Sequence, residues 1–576
     1  MNKNRFWGLV LLGALLFPQP GWGEETAKPA GSSDRITIFG TVATAQGKGV
    51  REAVVSFFLN GRKVELEKEV RTSQAGSYLQ ELIFPAGTLP RGRLELEVVK
   101  PSYKDAGKIA LTALVKEKTD APGQAHFLAR QNVTVQRTLS PAFWISSLVL
   151  LAVYALIAFE LLHRTLAALL GAALLLFITY TAGTFNPGYF ILSFEDAMKA
   201  IDLNVIFLLM AMMIIVGVTK KTGVFQWLAY KSFQCARGNV YALAAIMMFV
   251  TAFVSAFLDN VTTMLLIIPV TIEIAVTLKI NPVSLLLPEA FASNVGGTAT
   301  LIGDPPNIMI GSYAKLTFVD FLQNLTLICL ICLIVTILYF LYWYKKGYLK
   351  AEVDDIPKMI NHLREEYKIT NTKLLFLSGI VLTLTIFLFI IHGALHMEPS
   401  IAALVGAALL LVISRVDIVE MLEKEIEWPT LIFFIMLFIV VAGAEEAGLI
   451  QLIADWVKDV SGGSLVAAIL MVLWVSALAS AIIDNIPFTA TMLPIVAYLT
   501  QVIPGAQSGV LWWSLALGAC LGGNGTMIGA SANVVTVGLA EKAGYPIPFT
   551  DYLKAAFIPM IITMVLCSFW LLLVEM

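Results

Sequence analysis

Two apolar stretches, WISSLVLLAVYALIAFELL (144–162) and TLICLICLIVTILYFLYW (326–343), set the first limit on what this chain can become. Each matches the roughly 20 helical residues that cross a hydrocarbon core of about 30 Å. Inside lipid every backbone N–H and C=O needs a partner within the protein, which leaves the helix as the form for such a stretch. The whole chain agrees: 58% of its 576 residues are hydrophobic and 14% charged, against about 25% charged in a soluble domain. The predicted class is an all-α polytopic membrane protein whose first partner is the lipid bilayer. A net charge of −2 and the lack of a basic cluster give no basis for nucleic-acid binding. The five cysteines (235, 329, 332, 520 and 567) all lie in the apolar part, so Cys329 and Cys332 read as helix packing and no disulfide framework is expected.

Residues 1–23 differ in character. Lys3 and Arg5 precede FWGLVLLGALLF, and Gly21-Trp22-Gly23 sits ahead of Glu24 and Glu25. This is the pattern of a secretory signal peptide, with an uncleaved signal anchor as the alternative. Either puts the segment after it outside the cytoplasm. Residues 34–137 then alternate apolar and polar in ITIFGTV, EAVVSFFLNGRKV and RLELEVV, and Asn60-Gly61 is a hairpin signal. A small extracytoplasmic β-sandwich is predicted. Its one histidine, His126, reads as an ordinary packed or exposed side chain.

Beyond Pro141 the sequence repeats itself. Residues 201–228 resemble 426–453, FLDN at 257–260 recurs as IIDN at 482–485, and Pro269 recurs as Pro494, all 225 residues apart. GGTATLIGDPPN (296–307) is echoed by GGNGTMIGASAN (522–533), and LAALLGAALLL (166–176) by IAALVGAALLL (401–411). Two membrane repeats, 142–345 and 373–576, are therefore predicted, joined by a cytoplasmic linker at 346–372. Each holds five spanning helices and a re-entrant hairpin: 142–161, 164–183, 203–219, the hairpin 239–279 interrupted by polar and Pro-containing sequence, the broken helix 284–311, and 320–344. The second set is 373–392, 399–414, 429–445, the hairpin 463–502, the broken helix 511–538, and 553–575. Five crossings per repeat invert the second half relative to the first. Lys220, Lys221, Lys231, Arg237, Lys345, Lys346, Lys350, Arg364, Lys368 and Arg415 then all fall in inside loops, as the positive-inside rule requires.

The polar residues at membrane depth carry the functional signal. A charged side chain at the bilayer centre costs about 2.5–3.5 kcal/mol on insertion scales. Asp259, Asp304 and Asp484 must therefore face protein, water or a bound cation, and no Lys or Arg lies beside their motifs within the apolar runs. GGTATLIGDPPN is too rich in Gly and Pro for an unbroken helix. A break frees carbonyls and N–H groups for ions at half-helix ends, and oxygen donors suit a hard cation such as Na⁺. The candidate ion-binding set is Asp259, Asn260, Thr262, Asn294, Gly296, Gly297, Thr298, Asp304 and Asn307 in the first half. In the second it is Asp484, Asn485, Gly522, Gly523, Asn524, Thr526, Ser531 and Asn533. Asp304 aligns with Ala530, so the set is pseudo-symmetric only. Glu289 and Glu273 are weaker candidates; Glu289 opens a broken helix, where an acid can also simply complement the helix dipole. Glu273 reads as a solvated residue at a hairpin's cytoplasmic end, and His163, His392 and His396 as interfacial residues at helix ends.

FLDNVTTMLLIIPVTIEIA followed by ASNVGGTATLIGDPPNIMIGS closely resembles the ion transporter superfamily, in the branch of NhaD-type sodium/proton antiporters, arsenite permeases and the melanosomal P protein. The resemblance covers about residues 142–576 and is carried most specifically by GGTATLIGDPPN. In the more distant dicarboxylate/sodium symporters, Ser-Asn-Thr motifs tip the two hairpins; by position these are Asp259-Asn260-Val261 and Asp484-Asn485-Ile486 here. The added negative charge speaks against a dicarboxylate. The resemblance implies a homodimer whose transport domain moves like an elevator against a scaffold. The expected function is Na⁺/H⁺ antiport at the inner (plasma) membrane, with no cofactor beyond the transported Na⁺ and H⁺. The alternatives are an arsenite or organic-anion (citrate- or dicarboxylate-like) permease, and an anion channel or sensor. No nucleophile–base pair, nucleotide loop or metal cluster suggests an enzyme.

Overall fold

The computed structural model describes residues 33–575, except 45–48, 51–52, 67, 74, 86–92, 101–102, 105, 112–113, 118–124, 137–138, 350 and 352–355. The expected leader at 1–23 lies outside the described residues. The chain divides into two compact units, at Thr138 and Leu139.

Among its described residues the first unit holds two five-stranded sheets. The long strand Ser33–Thr44 pairs antiparallel with Ser77–Pro85 and parallel with Ala125–Arg130 and Val133–Val135. In the other sheet Val54–Leu59 pairs antiparallel with Leu94–Val99. Asn60 and Gly61 both take positive φ (53° and 79°), so the chain reverses in two residues and Leu59 faces Arg62. The period-2 apolar residues of both sheets, among them Ile36, Ile38, Val55, Phe57, Leu96 and Val98, meet in one buried cluster.

The second unit contains nineteen helices of ten or more residues among the described residues. In chain order these are α1 (Pro141–Ala158), α2 (Arg164–Tyr180), α3 (Leu203–Lys220), α4 (Val224–Ala236), α5 (Val240–Ser255), α6 (Asn260–Thr277), α7 (Val283–Thr298), α8 (Pro305–Ala314) and α9 (Phe318–Trp343). They continue with α10 (Ile356–Glu366), α11 (Thr372–Ile391), α12 (Pro399–Ser414), α13 (Trp428–Ala447), α14 (Leu449–Ser461) and α15 (Leu465–Ser480). The last are α16 (Asn485–Val502), α17 (Val510–Gly522), α18 (Ser531–Lys542) and α19 (Phe549–Glu575). Among the described residues, eight helices are long and apolar enough to cross a membrane. Local chemistry sets the ends. Asp202, Asn239, Asp259 and Asn371 each cap the next helix with a side-chain oxygen, and Thr317 with Asp320 forms a capping box on α9.

Three sequence expectations need correction. Pro269 and Pro494 do not interrupt their segments; both lie inside continuous helices, and the chain instead turns at 256–259 and 481–484. The second arm of the first hairpin, α6, has 18 residues and is long enough to cross. The expected loops after α3 and α13 are largely the helices α4 and α14, started by Gly223 and Gly448 at φ 77° and 98°. Each has 13 residues, about 20 Å of helix, and each buries one stripe: Phe225, Ala229, Phe233 and Ala236, or Ile450, Ala454, Val457 and Ser461.

Packing follows the repeat. α2 lies against α13, and α12 against α3, so the third long helix of each half packs on the opposite half. With α1 and α11 these form one group. In the second group α5 packs on α7 and α15 on α17, while α6 meets α18 and α16 meets α8 across the halves. Single side chains join the groups. Asn204 donates to Ser312 Oγ at 3.0 Å, and Tyr154 donates to the Pro487 carbonyl at 2.7 Å. His392 is buried rather than interfacial: its Nε2 accepts from Phe318 N–H at 3.1 Å, which satisfies the first turn of α9.

Candidate functional site

The broken helices meet at the centre of the second group. Between α7 and α8, and again between α17 and α18, the chain leaves the helix for a few residues and exposes carbonyls, which matched amides then collect. Asn307 Nδ2 donates to the Thr298 and Thr300 carbonyls (2.9 and 2.8 Å), and Asn533 Nδ2 to those of Gly523 and Thr526 (2.9 and 3.0 Å). Thr300 and Thr526 each donate to the hairpin turn opposite, at Ala256 O and Ala481 O, both at 2.5 Å.

A chain of amides links the halves, and its orientation follows from those carbonyls. Because Asn533 must point its NH₂ at them, its Oδ1 accepts from Asn294 Nδ2 at 3.0 Å. Asn294 also donates to Asn524 Oδ1 at 2.9 Å and accepts from Asn260 Nδ2 at 3.1 Å. Asn524 Nδ2 is then left buried without a protein acceptor, a demand for oxygen from solvent or ligand. On the other side Asn485 Nδ2 lies 3.4 Å from both oxygens of Asp304, which is 1% exposed.

Asp259 and Asp484 both begin helices. Asp259 Oδ1 accepts from the Val261 and Thr262 N–H groups at 2.9 and 3.0 Å, and Asp484 Oδ1 from Ile486 N–H at 3.0 Å. Capping thus fixes where each carboxylate sits. Asp484 Oδ2 also accepts from Ser531 Oγ at 3.2 Å.

Here the expectation of acids without a base fails for Asp484. Arg164, the first residue of α2, places Nη1 2.7 Å from Ser531 Oγ and 3.5 Å from Asp484 Oδ2, and its Nη2 donates to Thr430 Oγ1 at 3.1 Å. The guanidinium also lies over the Phe433 ring at 5.5 Å. Both members of the pair keep a little solvent, with 23% and 12% of their side-chain surface exposed. Sequence reasoning missed Arg164 because it is 320 residues from its partner and begins a helix, where a base reads as interfacial. Asp259 and Asp304 form no ion pair with a basic side chain among the described residues.

Several predicted residues serve the backbone. Thr298 donates to Asn294 O within its own helix, and Thr262 contributes its N–H to Asp259. Gly296 and Gly522 let α7 and α17 lie against α5 and α15; a Cβ on Gly296 would stand 2.0 Å from the Ala252 carbonyl oxygen. Gly297 with Gly303, and Gly523 with Gly529, close on each other across the breaks. Gly296→Ala should therefore destabilise the protein by about 1–3 kcal/mol or more, the range for overpacking. A lowered melting temperature of purified protein checks this, and wild-type stability would remove the close approach from the account.

The acids at the junction are not joined by Glu273 or Glu289. Glu273 is half-buried and accepts from Tyr367 OH in the linker, rather than being solvated. Glu289 does not open a helix. It lies in the second turn of α7, fully buried, with Thr271 Oγ1 at 3.2 and 3.0 Å from its two oxygens.

Matched halves that meet at broken helices and hairpin turns, with polar groups converging between them, are the architecture of a secondary membrane transporter. The chain belongs to the citrate transporter family, which it matches over residues 154–518, and so to the ion transporter superfamily. Uncharacterized transporters of Mycobacterium bovis and Mycobacterium tuberculosis are each 42% identical over 424 residues, covering 73% of this chain and 96% of theirs. The P protein of Homo sapiens is 34% identical over 514 residues, covering 76% of this chain and 60% of that one. The protein is thus an integral transporter of the plasma membrane, not an enzyme.

Proposed function

We propose that this transporter is a cation/proton antiporter exchanging Na⁺ for H⁺. One observation carries the reading: three carboxylates, Asp259, Asp304 and Asp484, converge with Asn amides and freed carbonyls, and a single guanidinium, Arg164, pairs with Asp484 and also lies within electrostatic reach of Asp259. The junction is short of positive charge, which a small hard cation or a proton supplies. Asp259, Asn260, Asn294, Asp304, Asn307, Asp484, Asn485, Asn524, Ser531 and Asn533 form or brace the ion path.

The two halves work as inverted repeats. Trp570, near the end of α19, donates to Asn324 O near the start of α9, and Lys220 at the end of α3 pairs with Glu425 just before α13. Equivalent helices thus run antiparallel, which supports the inversion. The group holding α1–α3 and α11–α13 is the scaffold of a homodimer, and the group with the broken helices moves against it as an elevator. Residues 34–137 form an extracytoplasmic β-sandwich. The test is to load proteoliposomes with Na⁺ and follow internal pH. An outward Na⁺ gradient should acidify the lumen; a lumen whose pH ignores Na⁺ removes the reading.

Arg164 favours a second reading. A guanidinium beside a hydroxyl and the free Nδ2 donor of Asn524 suits a carboxylate or oxyanion, and the family is named for citrate. Uptake of labelled citrate or arsenite that survives neutralising Asp259 and depends on Arg164 would favour this reading.

A further inference from the structure

Glu289 is an ionisable group outside the junction and is 0% exposed. Its hydrogen-bond partner is Thr271 of α6, a neutral hydroxyl, and it bonds to none of the junction aspartates or asparagines. The same place in the second half is an internal control. By the repeat offsets Glu289 corresponds to Leu515 and Thr271 to Val496, and both of those are fully buried on α17 and α16. An apolar pair therefore packs this helix contact without difficulty, and the fold does not require an acid here.

Among the described residues the surroundings supply no base. From the short helix Lys345–Tyr348, Tyr348 commits its hydroxyl to Ser284 O at 2.6 Å. That carbonyl is the one left without its helical donor because Pro288 has no N–H. Tyr241 of α5 rests edge-on against Tyr348. On α6 Glu273 is bonded to Tyr367; on α9 Asp320 caps the helix and Cys329 and Cys332 are buried thiols. α17 brings Cys520, while Glu541 and Lys542 of α18 and Asp551 and Lys554 of α19 are exposed. A carboxylate sealed among these groups would be an unpaired charge, which burial penalises unless a proton neutralises it.

We propose that Glu289 is a second proton-carrying site, separate from the aspartate junction, which loads and releases a proton during the transport cycle. The proposal rests on the proton-coupled reading of the transporter. It explains why one half keeps an acid and hydroxyl where the other has Leu and Val: the proton is taken up on one repeat only.

Infrared difference spectra of the purified full chain, between acidic and alkaline buffer, test the site without reference to the transported ion. Wild type should show a carboxylic C=O stretch that changes with pH and is lost in Glu289→Gln. In proteoliposomes the same variant should still move the cargo, with fewer protons per cycle and a flattened pH profile. Thr271→Val/Glu289→Leu, which copies the second half, should fold and behave as Glu289→Gln does. Absence of the band, a band indifferent to pH, or an unchanged proton count in both variants overturns the proposal. If the band titrates as expected while Na⁺ drives no proton flux, the Na⁺/H⁺ reading fails instead.

Discussion

Asp259→Asn should leave the protein folded and stop coupled transport. Asn caps a helix about as well as Asp, so the bonds from Val261 and Thr262 N–H persist and stability should change by no more than about 0.5 kcal/mol. The loss is one of charge, at a position with no ion-paired base among the described residues and with Arg164 within electrostatic reach. Na⁺-driven proton flux should fall about 100-fold, equivalent to about 2.7 kcal/mol at about 1.4 kcal/mol per tenfold. Initial rates in proteoliposomes, normalised to reconstituted protein, provide the measurement. A variant with wild-type flux would place the ion path elsewhere.

Arg164→Gln has the second large effect, and its sign separates the two functional readings. Removing one partner of a fully buried pair costs about 3–5 kcal/mol. Arg164 and Asp484 keep some solvent and stand 3.5 Å apart, so about 1–2 kcal/mol is the appropriate range here. If Asp484 serves a cation, losing the guanidinium frees the carboxylate, and Na⁺ should bind about 5- to 30-fold more tightly. If Arg164 serves an anion, citrate or arsenite binding should weaken by a similar factor and Na⁺ should gain nothing. Arg164→Lys is a useful control, because Lys keeps the charge and loses the forked reach to Ser531 and Thr430.

How far the sequence led depends on the range of the interactions involved. Helix positions were legible because they follow from local apolar runs and from breaks written as GGTATLIGDPPN. The repeat offset placed Asp259 against Asp484 and Asn307 against Asn533, and the matched bonds to Thr300 O and Thr526 O follow from it. The amphipathic stripes of α4 and α14 were also present, as apolar residues at helical spacing, but bases and acids in the same segments made them read as loops. Pro269 misled for a different reason: proline inside a helix is tolerated where neighbours cover the freed carbonyl. The interactions that set charge balance were not legible. Arg164 to Asp484, Asn294 to Asn533 and Asn485 to Asp304 join residues 320, 239 and 181 positions apart, and only packing decides which of them meet.

Calorimetry of Na⁺ binding to the purified protein, in two buffers of different ionisation enthalpy, tests most directly whether the buried aspartates exchange a proton for a cation. The heat should depend on the buffer, reporting proton release on binding, and should vanish in Asp259→Asn. Na⁺ binding with the same heat in both buffers, or no Na⁺ binding beside clear binding of citrate, would contradict it.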